Sequence, residues 1–348
     1  MVLIHGLGLN REVWQWQLAA LRDRYHVLTY DLFGHGDSAA PPITPSLSMF
    51  SDQLRGLLDY CGIESATIIG FSLGGMIARR FAQDEPNCVT ALGILHSPYQ
   101  RSSEAQAAIL ERVDRVRING PAATVEAALE RWFTDAYRAT NPQMMDLVRS
   151  WVLANDPEIY HTIYRVLADG IDEITAPNPA ISCPAFVLTG DEDYGNGPEM
   201  TQAIAAEIEG AETHILKGLR HMALAEHPDA VNVPLRAWVG IGLVGAAGMA
   251  ALFRYGLKGY QRERILGFLD PSRDPLASGY QQMQSKIAVG SGGLFGTGWQ
   301  EGTQTQLRFL PTQHTDFAFS VLAEEWGFIG SSFVLGVYAM MLLWGLLI

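Results

Sequence analysis

The chain has 348 residues, of which 48% are hydrophobic and 18% charged, a balance that excludes a disordered protein. At about 150 residues per domain this length corresponds to about two domains. The formal net charge of −13 repels phosphate backbones, so nucleic acid is excluded as an expected partner.

The negative charge is confined to one part of the chain. Of the 24 basic and 37 acidic residues, positions 241–348 carry seven of each, which leaves 17 basic and 30 acidic residues for the first 240. The C-terminal part is also richer in long uncharged runs. We therefore expect two domains, residues 1–237 and residues 238–348.

Short apolar runs alternate with helical patterns in the first domain. This alternation is typical of an α/β fold, in which a parallel sheet carries helices on both faces. The strand-like runs are residues 2–4, 26–30, 66–69, 91–95, 185–188 and 213–216. Between residues 97 and 175 the strand pattern stops and long amphipathic stretches replace it, which predicts a helical insertion.

A candidate nucleophile lies between the third strand and the helix that follows. Ser72 stands in the sequence Gly70-Phe-Ser-Leu-Gly74. A serine on a sharp strand-to-helix turn needs glycine two positions before and two after it, because side chains there would collide with the neighbouring strand and helix. The pattern in this context predicts that the turn lifts the Ser72 hydroxyl out of the sheet.

A neutral serine hydroxyl is a poor nucleophile, so a base and a carboxylate that orients it are needed further along the chain. Asp191 and Asp193 follow the fifth predicted strand, and His221 follows the sixth. We favour Asp193 as the orienting carboxylate, and a loop-stabilising role for Asp191 is the alternative. His221 is the candidate base.

Residues 1–235 resemble the α/β-hydrolase family. The matching features are His5-Gly6, the segment 30–38, the turn at Ser72, the segment 190–193, and His221 followed by Glu226-His227-Pro228. The resemblance implies that Ser72 is the nucleophile, that His221 acts as general base and then acid, and that Asp193 orients it. It also implies that the backbone N–H groups of Leu7 and Leu73 form the oxyanion hole.

The same resemblance implies a substrate class. Residues 97–175 correspond to the cap that shapes the substrate pocket in this family, and residues 113–133 resemble enol-lactonases within it. We expect a small-molecule carboxylic ester or lactone as substrate. No cofactor and no metal are expected.

Two uncharged runs in the C-terminal part predict transmembrane helices. Residues 327–348 contain no charged residue over 22 positions, enough at 1.5 Å per residue to cross a hydrocarbon core of ~30 Å. Residues 238–253 form a second run of 16 residues rich in Gly and Ala. We therefore expect a multi-pass protein of the cell membrane in contact with lipid, with the hydrolase part in the cytoplasm because the N-terminus does not resemble a secretory signal.

Residues from about 240 to 348 resemble RodA-type members of the shape, elongation, division and sporulation family of bacterial peptidoglycan glycosyltransferases. The resemblance includes an Asp-Pro-Leu-x-x-Gly-Tyr-Gln motif that begins at Asp274. It implies a lipid-linked peptidoglycan precursor as substrate, a class B penicillin-binding protein as partner, and Asp274 as the catalytic carboxylate. Asp270 is a weaker candidate. Five further charged positions are candidate lining of the substrate cavity: Lys286, Arg308, His314, Asp316 and Glu325.

Three interpretations of the whole chain stay open at this point. The first is an active serine hydrolase tethered to a membrane. The second is a cell-wall glycosyltransferase component whose hydrolase half is incidental, and the third is an artefactual joined reading frame. We expect the RodA-like segment to be catalytically silent by itself, because holding both sugars in reactive geometry requires more helices than the two predicted here.

Overall fold

The structure is a computed structural model that describes residues 1–251, 256, 258–259, 261–262, 278–303 and 318–347. The chain forms two compact units, Met1–Gly242 and Leu243–Ile348.

The first unit contains a six-stranded sheet in which every pair of neighbouring strands is parallel. The order across the sheet is β2-β1-β3-β4-β5-β6. The strands are β1 (Val2–Ile4), β2 (Leu28–Tyr30), β3 (Ala66–Phe71), β4 (Val89–Leu95), β5 (Ala185–Gly190) and β6 (Glu212–Leu216). The predicted parallel α/β fold is confirmed. β3 continues two residues beyond the predicted run, so Ser72 follows directly on its last residue, Phe71.

Helices cover both faces of this sheet. Successive side chains of a strand point to opposite faces, and accordingly Ile68 packs in one hydrophobic core and Ile69 in the other. The helices outside the insertion are α1 (Gln15–Leu21), α2 (Leu47–Tyr60), α3 (Leu73–Asp84), α9 (Pro198–Ala206), α10 (Ala223–Glu226) and α11 (Pro228–Ala251). The two cores explain why central strands such as β3 read as continuous apolar runs.

Five helices lie between β4 and β5, within the segment 97–175 where the sequence predicts a helical insertion. They are α4 (Ser103–Asn119), α5 (Val125–Trp132), α6 (Asp135–Thr140), α7 (Pro142–Leu153) and α8 (Pro157–Asp169). Their apolar faces join the cores of the sheet: Val113 packs with one core and Leu129 with the other. The insertion is therefore part of the same compact unit as the sheet.

Helix α11 carries the chain past the predicted domain boundary at 237/238. Leu235, Trp238 and Val239 are buried in the hydrophobic core below the sheet. The Trp238 ring stacks on Phe186 of β5, with 5.4 Å between the ring centroids. The first residues of the predicted membrane span 238–253 thus contribute to the core of the first unit.

The second unit contains α12 (Ser278–Ser291) and α13 (Ala318–Leu347). Gly327 interrupts α13, with a φ of 64° that only glycine adopts readily. The loop after α12 docks at this interruption, where the N–H of Thr297 donates to the Glu324 carbonyl at 2.9 Å and that of Phe328 donates to the Gly293 carbonyl at 2.8 Å. The interruption therefore makes backbone groups of α13 available to the loop.

Within the described part of the chain, no helix combines the length and the apolar character that crossing a membrane requires. The predicted spans 238–253 and 327–348 each end on residues outside that part.

Candidate active site

Ser72 occupies a strained turn between β3 and α3. Its φ of 55° and ψ of −116° are unusual for a residue with a side chain. A Cβ atom on Gly70 would lie 2.0 Å from the Gly74 carbonyl oxygen, and one on Gly74 would lie 2.2 Å from the Ile4 carbonyl oxygen. The close approach of strand and helix that the sequence pattern predicts is therefore present, and it requires both glycines.

Asp193 and His221 come together from the loops after β5 and β6. The Nδ1 of His221 lies 2.8 Å from the Oδ2 of Asp193, and both side chains are buried. The Oδ1 of Asp193 accepts the N–H groups of Gly195 at 3.2 Å and Asn196 at 3.1 Å. Because Nδ1 must carry the proton to donate to the carboxylate, the Nε2 of His221 is left as the free acceptor.

The carboxylate of Asp193 is held in its charged form. Burial alone would raise its pKa, but the charge and hydrogen bond of His221 and the hydrogen bond of His96 outweigh burial, and the pKa lies well below its ordinary value. A carboxylate that stays ionised keeps the imidazole in one tautomer and one orientation.

Asp191, the alternative carboxylate, makes a different hydrogen bond. Its Oδ1 accepts the N–H of Gly218 at 2.7 Å, in the turn that follows β6. Gly218 has a φ of 65°. The contact stabilises the loop that leads to His221, which is the role left open for Asp191.

His96 is a site residue that the sequence analysis missed. It follows β4 directly, and its Nδ1 lies 2.9 Å from the same Oδ2 of Asp193. Its backbone carbonyl accepts from the Asn196 side chain at 2.9 Å. Burial lowers the pKa of His96, so its ring is neutral and serves as a second N–H donor to the carboxylate. Its position at the carboxyl end of a central strand was the available signal.

His96, Asp193 and His221 are also the group of described residues with donor atoms close enough to hold a metal, all within 4.8 Å of one another. Both imidazole Nδ1 atoms point at one carboxylate oxygen at ordinary hydrogen-bond distances. A metal on these atoms would replace both hydrogen bonds. The hydrogen bonds therefore account for the arrangement without one.

One cavity adjoins the predicted catalytic residues. It has a volume of about 100 Å³, and Ser72, Asp193 and His221 all line it. Leu7 lines it as well, and Leu73 is the first residue of α3, next to Ser72. Side chains from the insertion, among them Trp132 and Tyr160, also line it.

The predicted site residues of the second unit fall mostly outside the described part of the chain. Asp274, Asp270, Arg308, His314 and Asp316 all lie in segments that the structure does not describe. Of the remaining two, Lys286 is exposed on α12 and Glu325 is buried on α13.

A family model described as "Alpha/beta hydrolase family" matches residues 1–233, two thirds of the chain. The chain belongs to the α/β-hydrolase family. The (E)-2-((N-methylformamido)methylene)succinate hydrolase of Acinetobacter baylyi is 29% identical over 240 residues, which cover 69% of this chain and 89% of that protein. The crystal structure of an enol-lactonase from Burkholderia xenovorans LB400 covers 69% of this chain and 90% of its own, with a TM-score of 0.64 and 26% identity.

The C-terminal part of this α/β-hydrolase chain matches a second family. The model for FtsW, RodA and SpoVE, described as "Cell cycle protein", matches residues 230–348. The peptidoglycan glycosyltransferase MrdB of Escherichia coli is 50% identical over 109 residues, and the chain spans 30% of its length. The chain thus joins an α/β-hydrolase to a segment of the RodA and FtsW family.

Proposed function

We propose that residues 1–242 act as a serine hydrolase on a small carboxylic ester or lactone. The observation that carries the proposal is that Ser72, on its strained turn, and the hydrogen-bonded pair of His221 and Asp193 line one cavity. Nucleophile, base and orienting carboxylate are the parts that acyl transfer requires.

In the proposed reaction the Ser72 oxygen attacks the carbonyl carbon while the Nε2 of His221 takes its proton. The negative charge of Asp193 stabilises the imidazolium that forms. The N–H groups of Leu7 and Leu73 are proposed to bind the developing oxyanion. His221 then gives its proton to the leaving oxygen, and water attacks the acyl-enzyme by the same route, which regenerates Ser72 and releases the acid.

The size of the cavity favours a small substrate. One water needs roughly 10–15 Å³ of comparable space, so a cavity of about 100 Å³ suits a compact metabolite. The helices of the segment 97–175 form its outer wall, and we propose that they act as the cap that selects the substrate.

Covalent labelling tests this proposal. A fluorophosphonate probe should label the full chain, and Ser72→Ala should abolish both the labelling and the hydrolysis of small activated esters, by up to ~10⁶-fold in kcat. Ser150→Ala is the matched control, because Ser150 is exposed on α7 and bonds only within its helix. Labelling that persists in Ser72→Ala would falsify the assignment.

The second family match supports a membrane-associated role for residues 238–348. We propose that the chain is held at the cell membrane through the runs 238–253 and 327–348, with the hydrolase in the cytoplasm. The large apolar side chains that α13 exposes support contact with lipid: Phe328, Ile329, Phe333, Leu335, Tyr338, Met340 and Met341.

The chemistry of this second part is a separate proposal. By the resemblance, Asp274 would act as general base on a lipid-linked peptidoglycan precursor, with a class B penicillin-binding protein as partner. We expect no glycan polymerisation by this chain alone, since it spans 30% of the matched glycosyltransferase and the precursor sugars would lack their positioning helices. Polymerisation by the purified chain that is lost in Asp274→Ala would contradict this expectation.

A further inference from the structure

Three arginines line the cavity next to Ser72. Arg101 precedes α4, Arg112 lies on α4, and Arg131 lies on α5. All three side chains are half-buried. The insertion therefore places three positive charges on the wall of a cavity that also contains the proposed nucleophile.

Among the described residues these three arginines form no ion pair, whereas neighbouring arginines do. Arg101 donates to the carbonyl oxygens of Ala168 and Leu167 at 3.4 and 3.3 Å, and Arg112 to its own helix. As far as the chain is described, no carboxylate lies within 4.0 Å of the three guanidinium groups. By contrast, Arg115, Arg117 and Arg149 of the same insertion pair with Glu111, Asp114 and Glu126.

The charges act on one another across the cavity wall. Burial, and then the positive charge of Arg112, lowers the pKa of Arg101 to about 10, and the same two causes lower the pKa of Arg131. Arginine stays charged in proteins, so the mutual repulsion of these groups and their partial desolvation both carry a cost, and no carboxylate in contact with them offsets it among the described residues. An anion bound among them would relieve both costs.

The charge of the cavity is opposite to that of the surrounding protein. The first 240 residues carry 17 basic and 30 acidic side chains. Among the described residues that line the cavity, however, the three arginines face one acidic side chain, Asp193, whose oxygens are taken by His221, His96 and two backbone N–H groups. The positive cavity is thus a local feature against the overall charge.

We propose that the substrate carries at least one carboxylate besides the ester or lactone carbonyl, and that Arg101, Arg112 and Arg131 bind it. The planar guanidinium fork matches the two oxygens of a carboxylate. This inference rests on the proposed hydrolysis at Ser72. Binding at the arginines holds the anionic end of the substrate so that its carbonyl faces the nucleophile.

The test compares two esters that differ in one charge. The purified full chain is given mono-para-nitrophenyl adipate or its methyl-capped counterpart, and nitrophenolate release is followed. We expect the free carboxylate to raise kcat/KM at least tenfold in the wild type. Arg112→Gln and Arg131→Gln should each reduce that ratio towards 1, because each removes a charged donor to the free carboxylate.

The matched control is Arg117→Gln, on the same helix but exposed and paired with Asp114. It should leave both the hydrolysis and the ratio unchanged. Equal kcat/KM for the two esters in the wild type would overturn the inference and leave the proposed hydrolase standing. The inference would also be overturned if the ratio of kcat/KM for the two esters fell as far in Arg117→Gln as in Arg112→Gln.

A binding measurement separates this inference from the proposed function. Adipate should quench the tryptophan fluorescence of the Ser72→Ala chain, since Trp132 lines the cavity, and dimethyl adipate should bind at least tenfold more weakly. If neither nitrophenyl ester is hydrolysed and Ser72 is not labelled, the proposed function fails, and adipate binding then tests only whether the three arginines form a carboxylate site. Inorganic phosphate should bind the same chain more weakly than adipate. Tighter binding of phosphate would overturn the proposal that the ligand group is a carboxylate.

Discussion

At the scale of single residues, Asp193 organises the site. Its Oδ2 accepts from both His221 and His96, and its Oδ1 accepts from two backbone N–H groups. Donors on both oxygens of this buried carboxylate fix its position and its charge. Asp193 orients His221, and the other hydrogen bonds to Asp193 hold the carboxylate itself in place.

The choice between the two carboxylates gives the first prediction at this scale. Asp193→Asn should lower kcat by about 10⁴-fold, because the imidazole tautomer is no longer held. Asp191→Asn should cost far less, since an amide oxygen can still accept from the Gly218 N–H. Steady-state rates on a small activated ester decide between them. If Asp191→Asn proves the more damaging change, Asp193 is the wrong choice.

Two buried histidines connect the loops after β1 and β2 and give a pH-dependent stability. The Nε2 of His5 accepts the N–H of Leu32 at 3.0 Å, and the Nε2 of His35 accepts the N–H of Gly8 at 3.0 Å. Burial lowers the pKa of His5 to about 4 and that of His35 to about 3. Both rings are therefore neutral in the folded protein, and each accepts a hydrogen bond from a backbone N–H.

The sign of the pH effect follows from these values. Between about pH 6.5 and pH 4 the unfolded chain binds protons at His5 and His35 that the folded chain does not. The free energy of unfolding should therefore fall as the pH is lowered through this window, by up to ~1.4 kcal/mol per pH unit for each histidine. Urea unfolding of wild type and His35→Asn from pH 7.5 to 4.5 measures it. The variant should show the smaller slope, because it lacks one of the two histidines whose pKa burial lowers.

At the scale of elements, a buried ion pair joins α3 to the end of α9. Arg79 donates to the Oε2 of Glu207 at 3.0 Å, and their side chains are 1% and 15% exposed. The hydroxyl of Tyr99 donates to the other carboxylate oxygen at 2.8 Å. The guanidinium also donates to the carbonyls of Ile174 and Pro98, and Glu207 supplies the negative charge that pairs with it.

Removal of that partner should be costly. Glu207→Ala leaves the Arg79 charge buried and unpaired, and we expect the free energy of unfolding to fall by about 3–5 kcal/mol. Asp114→Ala breaks the exposed pair with Arg117, whose side chains are 55% and 63% exposed, and should cost less than ~1 kcal/mol. Urea denaturation of both variants tests the contrast. Equal losses would mean that burial does not set the cost of breaking the pair.

At the scale of the whole molecule, the position of a truncation decides what remains folded. Leu235, Trp238 and Val239 belong to the core of the first unit, which ends at Gly242. A chain that ends after Pro234 loses these three side chains, and losing large buried side chains costs about 2–5 kcal/mol each. A chain that ends after Gly242 retains them.

We therefore expect the full chain to sediment with membranes and the chain that ends after Gly242 to be released from them and remain folded. The chain that ends after Pro234 should have a lower melting temperature than the longer truncation. Fractionation without detergent and thermal unfolding provide the measurements. Recovery of the full chain in the supernatant would contradict the membrane proposal, and equal melting temperatures would contradict the role of Trp238.

The sequence by itself determined the features that depend on local pattern. The six strands follow from short apolar runs bounded by turn residues, and the turn at Ser72 follows from Gly70 and Gly74, whose need arises within a few residues of chain. The division into a hydrolase part and a RodA-like part follows from composition and motif, and the family matches bear it out.

The tertiary structure alone decided which distant side chains meet. His96 contacts Asp193 across 97 residues, and Arg112 faces the same cavity as Ser72 from a helix of the insertion. Trp238 stacks on Phe186, although its sequence context reads as the start of a membrane span. The period of a helix or strand says which residues share a face, but the partner of that face is set by packing between elements far apart in the chain.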